Sequence, residues 1–336
     1  IQNVGGWSFG SPSVLMMYHR EPGALKKELA EMEECMPHYY RITQGHGQGA
    51  ELLMNAEAAF MQGNFSDAQI LLEQTYSTIA SNGQHNISLC CDFLAARLSL
   101  FQEDVTFVKN PEVKRKELLS LHNMMWLNIF DSTYAYYYAL TGMPEKIPAL
   151  FKDHMLSTVS FLSPCRPMME MIENQVFLSQ KMYAKVIGRS ETLLPVCEKM
   201  HYELVSLHIQ IQTASAYAML GKHLDARQLL QKALGHAMPD GFLIPFVENY
   251  SYIKDVLNSI NSITSRPFTD RILSLGSVYE QHCLHLSSRN SRPEILNVLN
   301  SREAEIAALI IDRLSNREIA ERLFLSEGTV KQYINQ

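Results

Sequence analysis

The chain has 336 residues, of which 46% are hydrophobic, and carries a formal net charge of −6 at pH 7. This length predicts two or three folded units, and the negative charge argues against a protein that coats nucleic acid through bulk positive charge. No apolar run approaches the roughly 20 residues that span a bilayer, so we expect no membrane segment and a cytoplasmic location. Gly and Pro are few, at 16 and 13 residues, which favours helix over sheet.

Six cysteines are present, none of them in a C-x-x-C motif, and Cys90 and Cys91 are adjacent. This arrangement indicates neither a zinc site nor a disulfide framework and favours buried thiols in a reducing compartment. The histidines show no metal-ligand spacing, and no nucleophile elbow or pair of catalytic acids can be recognised. We therefore predict no enzyme activity, no catalytic residue, no metal and no cofactor.

Two segments, residues 50–80 and 212–234, share one helix-turn-helix pattern. The matching positions are Ala56 with Ala214, Ala59 with Tyr217, Gly63 with Gly221, Phe65 with His223, Ala68 with Ala226, and Leu72 with Leu230. Small residues let two antiparallel helices approach closely, and glycine suits the turn because a positive φ costs it little. This spacing is that of tetratricopeptide-like (TPR-like) hairpins, which bury their faces by stacking on neighbours.

Weaker copies lie between these two segments. One helix ends at Gly142 and is followed by "MPEKIPALFKDHMLSTVSFL" as its partner, and a further pair covers residues 168–187 and 190–203. No alternating strand pattern of useful length is present. We predict an all-α protein in which residues 1–286 form a TPR-like α-solenoid. An irregular helical bundle without repeat geometry is the alternative.

The segment "SSRNSRPE", residues 287–294, lacks an apolar anchor and is predicted to be a linker. Residues 295–336 then form a small separate unit. Asn300 with Glu303, and Ser315 with Glu318, have the spacing of capping boxes that open two helices, and Ser326 is expected to cap a third. The predicted inward residues of the first two helices are Ile306, Leu309, Ile310, Ile319, Ala320 and Leu323.

The second and third predicted helices are joined by a tight turn at Phe324-Leu325, which is the helix-turn-helix arrangement. In the third helix Val330 and Ile334 are expected to pack inward. The opposite face then carries Lys331, Gln332 and Asn335. Lysine suits phosphate or guanine, and the two amides suit adenine in the major groove.

At the start of the second predicted helix, the free amides near Asn316 and Arg317 could meet a backbone phosphate. The alternative for the whole terminal unit is a small helical module that docks on protein through a solvated polar face.

The segment "LNSREAEIAALIIDRLSNREIAERLFLSEGTVKQYINQ" closely resembles the LuxR-type (GerE-like) DNA-binding domain of bacterial transcription regulators. The residues that match the family pattern are Arg302-Glu303, Ser315-Asn316, Glu318-Ile319-Ala320, Leu323, Ser326 and Thr329-Val330-Lys331. The resemblance implies a helix-turn-helix that binds DNA and adds Thr329 to the expected contacts. Arg313 stands where the family usually has glycine, and Tyr333 replaces the usual histidine.

In that family the recognition helix runs on and a fourth helix follows it. We therefore expect this chain, which starts at Ile1 and ends at Gln336, to be a piece cut inside its recognition helix, with little specific DNA binding of its own. The stretches "WSFGSPSVLMMYHREPGALKKELAEMEECMPHYYRITQGHGQGAE" and "AMPDGFLIPFVE" are similar to large regulators related to the maltose-operon activator. That similarity implies a signalling NTPase ahead of the helical repeats.

Several tyrosines cluster in the predicted solenoid, at Tyr134 and Tyr136–Tyr138, with Trp126 on the same helix. Consecutive helical residues point in different directions, so some of these rings must leave the core. They either pack between repeats or line a concave surface that stacks on a small molecule or peptide. The candidate effector or partner surface comprises Tyr39, Tyr40, Trp126, Tyr134 and Tyr137.

The sequence thus predicts a transcription regulator. An effector or a protein partner would bind the helical-repeat domain, DNA would bind the terminal unit, and pairing into a homodimer stays open. The alternative is a helical-repeat adaptor for protein–protein interaction that has no DNA-binding activity of its own.

Overall fold

The computed structural model describes residues 11–80, 83–102, 111–159, 161, 164–260, 265–290, 301–311 and 314–334. Within these ranges the regular structure is helical throughout and contains no strand, which confirms the predicted all-α fold. The chain divides into two compact units, Ile1–Leu284 and His285–Gln336. None of the helices in the described ranges combines the length and apolarity that crossing a bilayer requires.

The first unit is built from short and medium helices in chain order. They are α1 (Val14–Tyr18), α2 (Leu25–Ile42), α3 (Ala50–Met61), α4 (Phe65–Ile79), α5 (His85–Leu98), α6 (Pro111–Ser120), α7 (Met124–Leu140), α8 (Ala149–Lys152), α9 (Arg166–Ser179), α10 (Tyr183–Met200), α11 (Glu203–Met219), α12 (His223–Ala237), α13 (Ile244–Glu248), α14 (Tyr250–Asn258) and α15 (Arg266–Asn290), which runs past the boundary between the units. Two 3-10 turns, Pro144–Lys146 and Leu156–Thr158, flank α8.

The inner layer of this unit consists of five helices, α3, α5, α7, α9 and α11. Each of these five packs against the next of the five along the chain. They are buried along most of their length, whereas the helices that alternate with them, such as α4, α10 and α12, expose one face. Pairs such as α3–α4 and α11–α12 are helical hairpins. Hairpins stacked in chain order are consistent with the predicted α-solenoid.

The two hairpins predicted from the repeat are α3–α4 and α11–α12. The small residues of their contacts, Ala56, Ala68, Ala214 and Ala226, are fully buried. The turns contain Gly63 at φ +80° and Gly221 at φ +74°. A β-carbon on Gly63 would meet Leu243 at 3.4 Å, so this turn needs glycine for its backbone angle and is also tightly packed.

The first and last parts of this unit also contact each other. Helix α1 packs on both α3 and α11, and α13 does the same. The amide of Leu243 donates to the carbonyl of Met61 at 2.8 Å, and the carboxylate of Asp240 accepts from the amide of Leu25 at 3.1 Å. In a solenoid each repeat touches only its neighbours, so this closure is additional to the predicted architecture.

Two predicted helices differ from the structure. The expected partner helix after Gly142 is broken into the short α8 and two 3-10 turns, because Pro144 and Pro148 cannot continue a hydrogen-bonded helix. The helix expected over residues 168–187 instead ends at Ser179, where Lys181 adopts φ +60°. No glycine marks that turn, so the sequence pattern did not reveal it.

The predicted linker begins within a helix. Residues Ser287–Asn290 are the last residues of α15, because no Gly or Pro interrupts the chain before Pro293. The rest of the proposed linker, residues 291–294, lies outside the described residues, as does Asn300, which was expected to cap the next helix.

The cysteines largely follow the sequence prediction. Five are buried thiols: Cys90, Cys91, Cys165, Cys197 and Cys283. Burial raises the pKa of each, to about 11 for Cys165 and about 12 for Cys197, so they behave as small apolar residues. Cys35 differs from the prediction because it lies on the exposed face of α2.

Candidate nucleic-acid interface

The described part of the second unit contains three short helices, α16 (Ser301–Ile311), α17 (Asn316–Leu323) and α18 (Glu327–Ile334), and each contacts the other two. Their shared apolar centre consists of Ile306, Ile319, Ala320 and Val330. Leu309, Leu314, Leu323, Leu325 and Tyr333 pack partly buried around it. The prediction that Ile310 packs inward is wrong: Ile310 is 42% exposed, because the three-helix centre is too small to cover that side of α16.

Helix α17 begins at the predicted capping box. The amide of Glu318 donates to the hydroxyl of Ser315 at 3.4 Å, and the amide of Ser315 donates to the Glu318 carboxylate at 2.7 Å. The hydrogen bonds from Ser315 hold the pKa of Glu318 below its ordinary value. This reciprocal cap sets where α17 starts and so fixes its register against α18.

The turn between α17 and α18 is held at both ends. Phe324 adopts φ +54°, and the amide of Leu325 donates to the carbonyl of Ala320 at 2.9 Å, a left-handed helix end of the kind glycine usually supplies. From α16, the guanidinium of Arg302 donates to the carbonyl of Leu323 at 2.8 Å. One arginine thereby ties the first helix to the end of the second. Sequence reasoning did not assign Arg302 this role.

Helix α18 is capped by Ser326, whose hydroxyl accepts from the amide of Thr329 at 3.1 Å. Val330 is fully buried, and the neighbouring Lys331 and Gln332 are exposed. Ile334 is 43% exposed, which corrects the prediction that it packs inward. Tyr333 packs against the apolar centre instead. The apolar stripe of α18 therefore consists of Val330 and Tyr333, three positions apart.

The other predicted DNA contacts have distinct environments. Arg317 is exposed and pairs with Glu321 at 3.2 Å, and Asn316 is half-buried at the start of α17. The Thr329 hydroxyl lies 2.8 Å from that of Ser326, so it belongs to the cap of α18. Asn335 lies outside the described residues, as does Arg313.

Charge in this segment is nearly balanced. Residues 297–336 contain five basic and six acidic side chains. Binding that depended on many phosphate contacts would need a surplus of cations. Any recognition here therefore depends on a few well-placed groups, of which Lys331 is the lysine on the exposed face of α18.

Three helices around one small centre, with the last two joined by a tight turn, define a helix-turn-helix module. Residues 297–336 match the family described as bacterial regulatory proteins, luxR family, which confirms the resemblance for this segment and supports a DNA-binding transcription regulator. The match does not extend into the helical unit. No curated protein matches the chain.

The candidate effector residues of the helical unit lie in different places. Tyr39 lines a cleft of about 510 Å³ beside α1 and α2. Its neighbour Tyr40 contacts the carboxylate of Glu51 through its hydroxyl, which also accepts from the amide of Gly49 at 3.1 Å. The Tyr40 hydroxyl therefore links α2 to the start of α3, and these contacts stabilise the packing of the two helices.

The other three candidates belong to α7. Trp126 is buried, and its ring nitrogen donates to the side-chain oxygen of Asn86 at 2.5 Å. Tyr134 lines a second cleft of about 550 Å³ together with Tyr138, whereas Tyr137 does not line that cleft. The two clefts share no lining residue, so the five candidates do not form one continuous surface.

Proposed function

We propose that this chain is part of a bacterial transcription regulator in which the second unit reads DNA through α18. The observation that carries the proposal is the division of α18 into a buried Val330 and an exposed pair, Lys331 and Gln332, within a segment that matches a family of DNA-binding regulators. A helix fixed on one side by apolar packing presents its other side to a major groove in a constant orientation.

In this proposal Lys331 binds phosphate or the acceptor edge of guanine, and Gln332 makes paired hydrogen bonds to adenine. Asn335 would extend the same surface. Asn316 and Arg317, at the start of α17, would approach the phosphate backbone, and the Thr329 hydroxyl would do so at the start of α18.

We further propose that the helical unit is a TPR-like sensor that binds an effector or a protein partner, as in the regulators related to the maltose-operon activator. What supports this is the series of helical hairpins in chain order and the two clefts on their surface. Occupancy of the sensor would change how readily the DNA-reading units pair on their site.

The test is selection of a binding site from random duplex DNA by the complete gene product, followed by fluorescence anisotropy. Lys331→Ala should weaken binding about tenfold, in line with the loss of one base or phosphate contact, and lower the salt slope by about one. The matched control is Arg322→Ala, which removes an exposed cation of α17 that lies outside the proposed surface. Equal loss in both variants, or no sequence preference, contradicts DNA reading by α18.

A second candidate, a protein-docking adaptor, is favoured by Phe324, which is 95% exposed in the turn before α18. An aromatic side chain left this exposed suits a surface that a protein partner covers. The two functions separate cleanly: Phe324→Ser would abolish partner binding in an adaptor and leave sequence preference intact in a DNA reader.

A further inference from the structure

The cleft of about 550 Å³ beside α7 has an aromatic wall. Phe130, Tyr134 and Tyr138 are four residues apart along α7 and so lie on one face of it. Their rings follow one another, with centroids 4.8 Å apart for the first pair and 6.0 Å for the second. Phe130 and Tyr134 are buried in this row, whereas Tyr138 is partly exposed. The Tyr138 ring therefore offers the cleft a flat, polarisable surface for stacking.

Two further elements complete the cleft. Pro111 comes from the start of α6, and Pro148 and Ala149 come from the start of α8. These three residues are small or conformationally rigid. The volume falls within the range of clefts that hold small molecules, and three separate helices border it.

Four charged side chains line the same cleft, and their charges cancel. Arg115 on α6 donates twice to the carboxylate of Asp131 on α7, with both N–O distances at 2.9 Å. The hydrogen bond to Asp131 raises the pKa of the Arg115 guanidinium, and the two side chains of this pair carry opposite charges. Glu112 and Lys146 contribute one exposed charge of each sign.

The phenols of the wall are also uncharged. Burial raises the pKa of both Tyr134 and Tyr138, and the nearby carboxylate of Glu112 raises that of Tyr138 further. A ligand with a net charge would lose hydration on entering and gain no opposite net charge in return. An uncharged flat molecule loses little hydration and gains stacking on the partly exposed ring of Tyr138.

We propose that this cleft binds a flat, uncharged heteroaromatic small molecule, stacked against Tyr138. The inference deepens the proposed function, because it names the effector class of the helical unit, and it rests on that function for its regulatory meaning. The binding site itself is defined by the first unit alone. Loss of DNA reading would therefore leave the binding result intact.

The experiment uses the full chain and three probes with one ring system: indole, indole-3-acetate and tryptamine, measured by isothermal titration calorimetry. Indole should bind, and the anionic and cationic analogues should each bind at least about fivefold more weakly because of their desolvation. Absence of indole binding, or tighter binding of either charged analogue, overturns the proposal.

Variants locate the site. Tyr138→Ala should weaken indole binding about fivefold through lost stacking, and Ala149→Phe should abolish it by filling the cleft without removing any wall residue. The matched control is Tyr217→Ala, on α11 and outside the cleft, which should bind like the parent. Indole binding that survives Ala149→Phe, or that falls equally in Tyr217→Ala, overturns the assignment. Anisotropy with the selected DNA, run separately, tests the proposed function.

Discussion

Arg97 and Glu248 lie 151 residues apart in sequence and form a fully buried, two-pronged ion pair, with N–O distances of 2.7 and 3.0 Å. The same carboxylate accepts a hydrogen bond from the hydroxyl of Tyr136 at 2.9 Å. Arg97 lies in the last turn of α5, Tyr136 belongs to α7 and Glu248 ends α13. One charge pair therefore joins the middle of the first unit to the segment that closes it.

The guanidinium of Arg97 is packed as well as paired. Its central carbon lies 5.0 Å from the ring centre of Phe60, 5.3 Å from that of Phe93 and 5.7 Å from that of Tyr136. Cation–π contacts of this kind strengthen when water is excluded. The attraction of Glu248 keeps the pKa of Arg97 above its ordinary value despite the burial, so the charge persists inside the core.

Glu248→Gln should lower the free energy of unfolding by about 3–5 kcal/mol, because it leaves the Arg97 charge buried without its partner. Urea denaturation followed by circular dichroism measures this. Asp270→Asn is the matched control, since it makes the same chemical change in the pair Arg266–Asp270, which is exposed on both sides. The control should shift the free energy by less than about 1 kcal/mol. Similar losses in both variants would contradict a special role for the buried pair.

Glu57 should make stability fall with rising pH. It is buried on α3 and accepts from the amide of Leu15 in α1 at 2.6 Å, and burial raises its pKa from 4.5 to about 7. Between those values the folded state keeps a proton that the unfolded state releases, so the free energy of unfolding falls by about 1.4 kcal/mol per pH unit, or about 3 kcal/mol in total. The loss is complete above the folded pKa.

Glu57→Gln cannot ionise and should lack this component. The measurement is the difference in unfolding free energy between parent and variant from pH 4.5 to pH 8, which cancels groups common to both. The difference should move in favour of the variant up to about pH 7 and then level off. A difference that is flat with pH would show that Glu57 ionises at its ordinary pKa in the folded protein.

Two helical glycines should respond oppositely to alanine. A β-carbon on Gly276 in α15 would overlap the ring of Tyr250, and one on Gly188 in α10 would meet nothing within 4 Å. Gly276→Ala should therefore destabilise the first unit by about 1–3 kcal/mol through overpacking, whereas Gly188→Ala should stabilise it by about 0.5–1 kcal/mol. Thermal unfolding of the two variants checks the sign. Stabilisation by both would mean that α15 can move away from Tyr250.

Arg302→Met should weaken DNA binding without removing a DNA contact. It loses the hydrogen bond to the carbonyl of Leu323 and so loosens the turn that orients α18. The expected signature is reduced affinity with an unchanged salt slope, unlike Lys331→Ala. Glu305→Gln is the control, because Glu305 pairs with the other arm of Arg302 at 2.7 Å and its loss leaves the contact to Leu323 in place. A salt slope that falls in Arg302→Met would assign the arginine to phosphate binding.

Short-range features were predictable from the sequence. The box at Ser315 and Glu318, the cap at Ser326 and the positive φ of Gly63 and Gly221 all formed as expected. Each depends on residues within a few positions of one another, so local hydrogen bonding and backbone sterics decide it.

Features without a local marker were not predictable. His122 and Lys181 take left-handed conformations, at φ +53° and +60°, with no glycine to announce a turn. Ile334 satisfies the helical spacing for burial and is nevertheless exposed, because Tyr333 occupies the adjoining surface of the small centre. In these places tertiary packing overrides local preference.

The sequence by itself determined that the protein is helical, where its main hairpins turn, and that its end carries a LuxR-type helix-turn-helix segment, because periodicity, caps and motif letters act over short distances. Only the tertiary structure decided that Arg97 pairs with Glu248, and that side chains of α6, α7 and α8 line one cleft. Contacts of this kind depend on how whole helices pack. The spacing of residues along the chain does not predict the distance between side chains on separate helices.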